Sequence, residues 1–290
     1  MGALPPCLSP HIVQCRSLDP PVSVPEPMTS PESTLQPLPT WQPSAFGVFA
    51  TPKAALALAA LWCLLTVVFH AMPDMDIAVS RLFFDDACVA GGMSGCAAFP
   101  YAASRVLEEL RQTMQLLPEL IIAGLLAWYA ADIYWGRTLA DTMMRARGTL
   151  VLAFALGPGL FVNGLMKAHM GRPRPYETDL FGGDLPFVPA GEYSAYCASN
   201  CSFVSGEASE AFWLIGLLVL VAPQHRRAVA LALLPVVLFF TLLRVAFGAH
   251  YLSDALLGGL SSLVVLSALA LALEQAWRLP RRLLLPRCGL

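Results

Sequence analysis

Apolar residues occur along most of the chain in runs long enough to cross a membrane. A spanning helix needs about 20 mostly apolar residues, with a range of roughly 17 to 25. Six runs approach or meet this length, at 54–72, 116–134, 149–166, 208–221, 228–247 and 255–277. The pattern therefore predicts an all-α, polytopic membrane protein with six transmembrane helices.

Two of the six runs are irregular. The third contains Gly-Pro-Gly at 157–159, and we expect a kink there because proline removes a backbone donor and crowds the preceding turn. The fourth is short for a spanning helix. We expect it to begin earlier, within the turn formed by Ser205, Gly206 and Glu207.

The composition supports a membrane protein and divides the chain into three parts. Of 290 residues, 57% are hydrophobic and 13% are charged, whereas soluble domains carry roughly 25% charged residues. The first 50 residues hold 11 of the 24 prolines, so we predict a disordered segment at 1–51, a six-helix membrane domain at 52–277 and a basic tail at 278–290. Translation from Met28 instead of Met1 is an open alternative. The net charge of −2, without a basic stripe, gives no indication of nucleic-acid binding.

The loops predict the orientation. Basic residues concentrate in the segments 136–148, 224–227 and 278–287, and basic loops face the cytoplasm. The segment before the second run carries six acidic residues against three arginines. We therefore expect that segment outside and both termini in the cytoplasm.

Four of the eight cysteines lie on the predicted outer loops. They are Cys88, Cys96, Cys197 and Cys201, and an oxidising compartment favours two disulfides, Cys88–Cys96 and Cys197–Cys201. Free thiols are the alternative, and the spacing of the second pair also occurs in metal sites. No histidine pair lies nearby to complete a zinc site, so we expect disulfides and no metal.

Polar residues concentrate where three of the runs meet the predicted outer surface. The third run ends in Lys167, His169, Arg172 and Arg174; the fourth begins at Ser205, Gly206 and Glu207; the fifth ends in Arg244, His250 and Asp254. Charges at such positions are costly and usually functional. A single lysine or arginine at a helix end commonly extends to the lipid headgroups, and we assign that role to Arg172 and an interfacial position to His169.

The residue types at this surface point to phosphoryl chemistry. Lys167, Arg174 and Arg244 supply three positive charges that can bind the oxygens of a phosphoryl group. The Ser205 hydroxyl and the backbone N–H groups of Ser205 and Gly206 would add neutral donors.

A histidine and an aspartate complete the predicted site. His250 and Asp254 are four residues apart, which places them on one face if the last helix begins near His250. A carboxylate on the far ring nitrogen would fix the tautomer and make the other nitrogen a better nucleophile. No carboxylate cage for magnesium is evident, so we expect a metal-independent reaction without a cofactor.

These residues resemble the type 2 phosphatidic acid phosphatases, the membrane branch of a superfamily that includes the vanadium haloperoxidases. The first family motif, K-x6-R-P, is matched from Lys167 to Arg174 and Pro175. The third, S-R-x5-H-x3-D, is matched from Arg244 to Asp254, with Leu243 in place of serine. The second, P-S-G-H, reads Val204-Ser205-Gly206-Glu207. The resemblance covers roughly 54–277, and the segment 156–175 is also similar to bacterial members that act on lipid phosphates, including lipid A phosphatases.

The resemblance implies a phosphohistidine mechanism. His250 would attack phosphorus, Asp254 would orient it, and the cations with the Ser205–Gly206 turn would bind the phosphoryl oxygens. In the family, the histidine of the second motif protonates the leaving oxygen, and here that position is Glu207. Our hypothesis is that Glu207 is the general acid, protonated when substrate is bound, with an acid-shifted activity profile. The alternatives are a weakened enzyme, or a carboxylate that acts as base for hydrolysing the intermediate.

The expected function is a lipid phosphate phosphatase of the bacterial inner membrane, with its active site on the periplasmic face. Candidate substrates are phosphatidic acid, phosphatidylglycerol phosphate, undecaprenyl diphosphate and lipid A phosphates. A lipid phosphotransferase would use the same intermediate, and a non-catalytic lipid-phosphate binder or transporter would keep only the cationic pocket. Membrane lipids are the expected surroundings, and the oligomeric state stays open.

Overall fold

The computed structural model describes residues 44–90, 97–139 and 141–278, and the regular secondary structure of the described part is helical, with one isolated β-bridge. The helices are α1 (Pro52–Ala71), α2 (Asp74–Arg81), α3 (Asp86–Ala90), α4 (Arg105–Tyr134), α5 (Thr142–Phe154), α6 (Lys167–His169), α7 (Gly206–Gly216), α8 (Arg226–Ala246) and α9 (Leu252–Arg278). A π-helix, Ala155–Met166, joins α5 to α6. The predicted all-α class is confirmed for these residues.

Five described helices are long and apolar enough to cross a membrane. They are Pro52–Ala71, Arg105–Tyr134, Thr142–His169, Pro223–Ala246 and Leu252–Ala276, so the protein is a multi-pass membrane protein. The fourth predicted run, 208–221, does not reach spanning length as a helix. Its counterpart α7 has 11 residues and ends in a 3-10 turn of four residues, Leu217–Leu220. The helix does begin within the Ser205–Glu207 turn, as expected.

The helix that contains Gly-Pro-Gly continues through Pro158. Where we expected a kink, the backbone changes from α5 to the π-helix, and Pro158 is buried within it. Proline cannot donate to the preceding turn, and a change of helical repeat is one way to accommodate that loss. The continuous helix from Thr142 to His169 therefore delivers Lys167 at its far end.

Helix α4 begins 11 residues earlier than the apolar pattern indicates. The predicted run starts at Leu116, but the helix starts at Arg105, and its first three turns carry Glu108 and Arg111. Hydropathy does not detect these turns because they are polar. They extend the helix toward the end of the bundle that holds Lys167, because Arg111 forms an ion pair with Glu207 there.

Helix α9 lies at the centre of the bundle and packs most closely on α7. A Cβ atom added at Gly258 would overlap the backbone of Ser205, so glycine allows this close approach. The hydroxyl groups of Ser209 and Ser262 are 2.7 Å apart across the same contact. On the outside of the bundle, apolar residues of α1 such as Leu56 are well exposed, which suits contact with lipid.

Residues 44–51, the end of the predicted N-terminal segment, are described by the structure. Part of the segment 1–51 is ordered: Gly47–Ala50 forms a 3-10 helix, Phe46 is buried, and the Ser267 hydroxyl donates to the Phe49 carbonyl at 2.6 Å. Phe46 belongs to the same core cluster as Leu266 and Ala270 of α9, which the proline-rich composition of the segment as a whole does not indicate. Residues 1–43, most of the basic tail (279–290) and Cys96 lie outside the described residues, so the predictions for them stay predictions.

Candidate active site

A polar cavity of about 770 Å³ lies where four helices and three connecting segments converge. Its charged and amide-bearing lining residues are Glu108, Arg111, Gln115, Asn163, Lys167, Arg174, Asn200, Glu207, Glu210 and Arg244. The three cations that the sequence analysis grouped are among them. The fold therefore brings together side chains that are up to 136 residues apart in the sequence.

Lys167 and Arg174 converge on one loop residue, Asn200. The Lys167 ammonium donates to the Asn200 side-chain oxygen at 3.3 Å, and the Arg174 guanidinium donates to the Asn200 carbonyl at 2.9 Å. Asn200 has φ = 51°, a left-handed conformation that asparagine tolerates better than most residues. These contacts hold two cations together at the cavity wall.

The loop that carries Asn200 is closed by a disulfide bond. Cys197 and Cys201 form the predicted bond, with their Cα atoms 5.7 Å apart. Cys201 N–H also donates to the Lys167 carbonyl at 3.4 Å. Because Cys96 is not described, the predicted Cys88–Cys96 bond remains a prediction.

Arg244 is a buried cation with unused donor capacity. It lies in the last turn of α8, it is 7% exposed, and one of its terminal nitrogens is 3.3 Å from a Glu207 oxygen. Its Nε is buried without a hydrogen-bond partner among the described residues. A buried N–H group that lacks a partner is uncommon, and an anion in the adjoining cavity can satisfy it.

The Ser205–Gly206 turn contributes less to the cavity than expected. Ser205 is fully buried, its N–H donates to the Asp254 carbonyl at 2.9 Å, and its hydroxyl caps α7 by accepting from Ala208 N–H at 3.4 Å. The Ser205 N–H is therefore not available to bind phosphate, because it serves helix packing. Gly206 lines the cavity, and a Cβ there would lie 2.8 Å from the Asn163 side chain.

His250 is held in one orientation directly after Ala249, which lines the cavity, although His250 itself is not one of the lining residues. It is 1% exposed, it precedes α9 on a turn that passes through Gly248 (φ = 64°), and its Nδ1 lies 2.8 Å from the Ser202 carbonyl. Since a carbonyl can only accept, Nδ1 carries the proton and Nε2 is left as the nucleophilic nitrogen. Burial, with Arg244 and Lys167 nearby, holds the pKa of His250 well below its usual value, so the ring is neutral.

Asp254 orients this histidine indirectly. Its Oδ2 lies 4.0 Å from His250 Nδ1, too far for the hydrogen bond that the sequence analysis expected. That oxygen instead accepts from the Ser202 hydroxyl at 2.5 Å and from the Tyr251 N–H at 3.0 Å. Because α9 begins at Leu252, His250 lies before the helix and not on its face, and the carboxylate positions the Ser202 segment that contacts the ring.

Arg172 is buried, which overturns its assignment to the lipid headgroups. Its guanidinium donates to Asp254 Oδ1 at 2.6 Å, to the Ser253 hydroxyl at 2.8 Å and to Asp76 Oδ2 at 2.8 Å, and its side chain is 0% exposed. Its Nε donates to the Val188 carbonyl at 2.7 Å. The arginine thus links α2 to the start of α9.

Glu207 is paired with two arginines. Its Oε1 accepts from Arg111 at 2.9 Å and lies 3.3 Å from Arg244. Arg111 also donates to Glu108, at 2.6 Å and 2.8 Å. Guanidinium groups can only donate, so proton donation from this oxygen would require substrate to draw the two arginines away.

Several residues of the site lie outside the motifs that the sequence shows. The residues that line the cavity or belong to the network that supports it are Arg111, Glu108, Asn163, Asn200, Glu210, Asp76 and Ser202. One local signal was present: Glu108 and Arg111 are three residues apart, which is the spacing of a helical ion pair. The others have no spacing that distinguishes them.

The fold and the site together define a class: a helical, multi-pass membrane phosphatase with a histidine nucleophile candidate beside three converging cations. The PAP2 superfamily matches residues 148–278 of the chain. The chain is 44% identical over 225 residues to the lipid A 4'-phosphatase of Rhizobium leguminosarum, covering 74% of this chain and 94% of that protein. The chain belongs to the PAP2 superfamily and is a membrane phosphatase of that family.

Two further relatives carry the same description. The lipid A 4'-phosphatase of Rhizobium etli is 43% identical over 239 residues (80% of this chain, 90% of that protein), and that of Francisella tularensis subsp. novicida is 30% identical over 200 residues (67% and 84%). Among solved structures, a transmembrane PAP2 type phosphatidylglycerolphosphate phosphatase from Bacillus subtilis has a TM-score of 0.45 at 18% identity, covering 81% of this chain and 98% of that one.

Proposed function

We propose that this phosphatase hydrolyses the 4'-phosphomonoester of lipid A through a phosphohistidine intermediate. The main support for this proposal is that His250 is neutral and is fixed through its Nδ1. Its neighbour Ala249 lines the cavity that Lys167, Arg174 and Arg244 also line. Three fixed positive charges suit the three non-bridging oxygens of a phosphomonoester. The names of three relatives, at 30% to 44% identity, favour lipid A over the other lipid phosphates.

The reaction follows from these positions. His250 Nε2 forms a bond to phosphorus while the bond from phosphorus to the ester oxygen breaks, and the leaving oxygen takes a proton. Water then attacks the phosphohistidine, which releases inorganic phosphate and restores the neutral ring. The Ser202 carbonyl, kept in place by Asp254, stabilises the positive charge that the ring gains in the first step.

The cavity also suits a sugar phosphate. Its volume of about 770 Å³ lies within the usual range for small-molecule sites, roughly 300–1,000 Å³. Gln115, Asn163, Asn200 and Tyr176 line it, and amide and hydroxyl groups are suitable partners for sugar hydroxyls. A glycerol phosphate presents far fewer hydroxyls for such a lining to bind.

We further infer six membrane crossings. Helix α7 starts at the site, at Gly206, and α8 returns to it at Arg244, so the link between them lies at the opposite end of the bundle. Helix α7 with its 3-10 turn rises roughly 24 Å, somewhat less than the roughly 30 Å hydrocarbon core. The basic residues Arg226 and Arg227 follow that link, which favours a cytoplasmic position for it and a periplasmic position for the site.

Phosphate release from lipid A tests the proposal. Purified protein in detergent, with a chelator present, is incubated with lipid A 1,4'-bisphosphate, and the product is located by mass spectrometry. We expect free phosphate and a lipid A 1-phosphate product, and neither from His250→Ala. Transfer of phosphate to a second lipid would favour the phosphotransferase. Unchanged lipid A, bound equally by the wild type and His250→Ala, would favour a non-catalytic binder.

A further inference from the structure

Two of the carboxyl groups that line the cavity lie outside the family motifs, Glu108 and Glu210, and Glu108 already pairs with Arg111. Glu210 lies three residues after Glu207 on α7, which places both on one face of the helix. Both side chains line the cavity with Lys167, Arg174 and Arg244. Glu210 therefore faces the same cavity as the three cations.

The carboxyl groups of Glu207 and Glu210 have different surroundings. Glu207 contacts two guanidinium groups, Arg111 and Arg244. Glu210 forms no hydrogen bond or ion pair with any residue in the described parts of the chain. The charges that act on it are two carboxylates, Glu207 and Glu119 of α4, and one cation, Lys167.

This difference bears on which of the two can carry a transferable proton. A half-buried carboxyl near other carboxylates favours its neutral form, whereas Glu207 Oε1 already faces two guanidinium groups, which can only donate. A phosphate dianion entering the cavity adds negative charge and favours the neutral form of Glu210 further. The same dianion competes with Glu207 for Arg244, but Glu207 retains Arg111, which lies outside the three phosphate-binding cations.

We propose that Glu210 is the general acid of this phosphatase and that Glu207 positions Arg111 and Arg244. The inference rests on the proposed phosphatase reaction and assigns its proton donor. As the bond from phosphorus to the leaving oxygen breaks, that oxygen takes the Glu210 proton and leaves as an alcohol. Glu210, now a carboxylate, then accepts a proton from the water that attacks the phosphohistidine, and both groups return to their starting states.

Leaving groups of different basicity test this assignment. Two phosphomonoesters with the same long alkyl tail are compared, one with an alkyl alcohol and one with a nitrated phenol as leaving group. An alkoxide needs a proton to leave and a nitrophenolate does not. Release of the alcohol or phenol is followed in single turnovers with enzyme in excess, so that only the first chemical step is measured.

The variants are Glu210→Gln and, as the matched control on the same helix, Glu207→Gln. General acid catalysis is worth about 10² to 10⁴-fold, so Glu210→Gln should slow release of the alkyl alcohol by about that factor. The same variant should release the nitrophenol within about tenfold of the wild-type rate. Glu207→Gln should slow both esters by a similar factor, because it disturbs phosphate binding and not proton transfer.

Equal slowing of both esters by Glu210→Gln, or selective slowing of the alkyl ester by Glu207→Gln, would overturn the assignment. The proposed function is judged separately. If His250→Ala released nitrophenol as fast as the wild type, the histidine mechanism itself would fail, whatever the result for the glutamates. Size-exclusion profiles in detergent identify any variant that misfolds, and Glu210→Asp, which keeps a proton, then provides the second test: it should retain more alkyl-ester activity than Glu210→Gln.

Discussion

Replacement of Arg172 is the change for which the structure predicts the largest combined effect on stability and activity. Arg172 neutralises two buried carboxylates, Asp76 and Asp254, and every nitrogen of its guanidinium group donates a hydrogen bond. Arg172→Met would leave both carboxylates without their cation in a site that excludes solvent. Breaking a buried pair by removing one partner costs about 3 to 5 kcal/mol.

The expected shift in unfolding temperature follows from that free energy. For chains of 150 to 250 residues, 1 kcal/mol corresponds to roughly 2 to 4 °C, so the midpoint should fall by roughly 6 to 20 °C. Activity should fall as well, because Asp254 loses the contact that orients it toward Ser202 and hence toward His250. Arg172→Lys keeps the charge but cannot reach Asp76, Asp254 and Val188 at once, so its loss should be intermediate.

The assay is thermal unfolding in detergent together with kcat and KM for phosphate release. Arg105→Met is the matched control, since Arg105 forms only an exposed ion pair with Glu109 on α4 and such pairs contribute little. An Arg172→Met protein that unfolds at the wild-type temperature with wild-type activity would refute the reasoning. That result would instead support the earlier expectation that Arg172 contacts the lipid headgroups.

Three further outcomes are expected. The pKa of His250 is lowered by burial and by Arg244 and Lys167, so the unfolded chain binds a proton at this residue at a higher pH than the folded protein does. The contribution of His250 to stability should therefore be full above pH 6.5 and decline below it. Unfolding midpoints measured from pH 7.5 to 5 should show this decline, and His250→Gln should remove that part of it. Arg244→Lys should lower kcat about 10² to 10³-fold, since it removes the buried Nε donor; a tenfold change or less would place phosphate elsewhere. Reduction of the Cys197–Cys201 bond should raise KM, because the loop that it closes carries Asn200, the partner of Lys167. The unfolding temperature should fall little, because the bond closes only a short segment. An unchanged KM would contradict this.

Motif spacing predicted the cavity cations because each lies at or just beyond the end of a helix near one surface. Lys167 ends one membrane helix and Arg244 ends another, and a helix end is the feature that hydropathy locates best. Arg172 and Arg174 show where spacing fails. The two arginines are two residues apart in one motif, yet one lines the cavity and the other is fully buried. Only the loop geometry after Gly171 separates them, and that geometry depends on Ser194 and Ser202, which lie far along the chain.

The polar half of α4 was unpredictable for a related reason. An apolar run indicates only the part of a helix that contacts lipid, and it does not indicate whether a polar part of the helix extends beyond it. Arg111 therefore appeared to belong to an outer loop, although it lies in a helix and contacts Glu207, which is 96 residues away. The expectation for Asp254 failed in its detail because the sequence spacing assumed a helix that includes His250, whereas α9 begins two residues later.

The position of Arg111 explains how this member of the family tolerates a glutamate in its second motif. A carboxylate at the start of α7 is favoured by the helix dipole, but it would repel the phosphate that the cavity must bind. Arg111 offsets that charge from a helix outside the matched segment 148–278. Arg111 is shared with Glu108, so it offsets part of the negative charge that the two carboxylates bring to the cavity, and the three motif cations line the same cavity. The substitution thus changes which group can supply the proton, and the structure offers Glu210 for that role one turn further along the same helix.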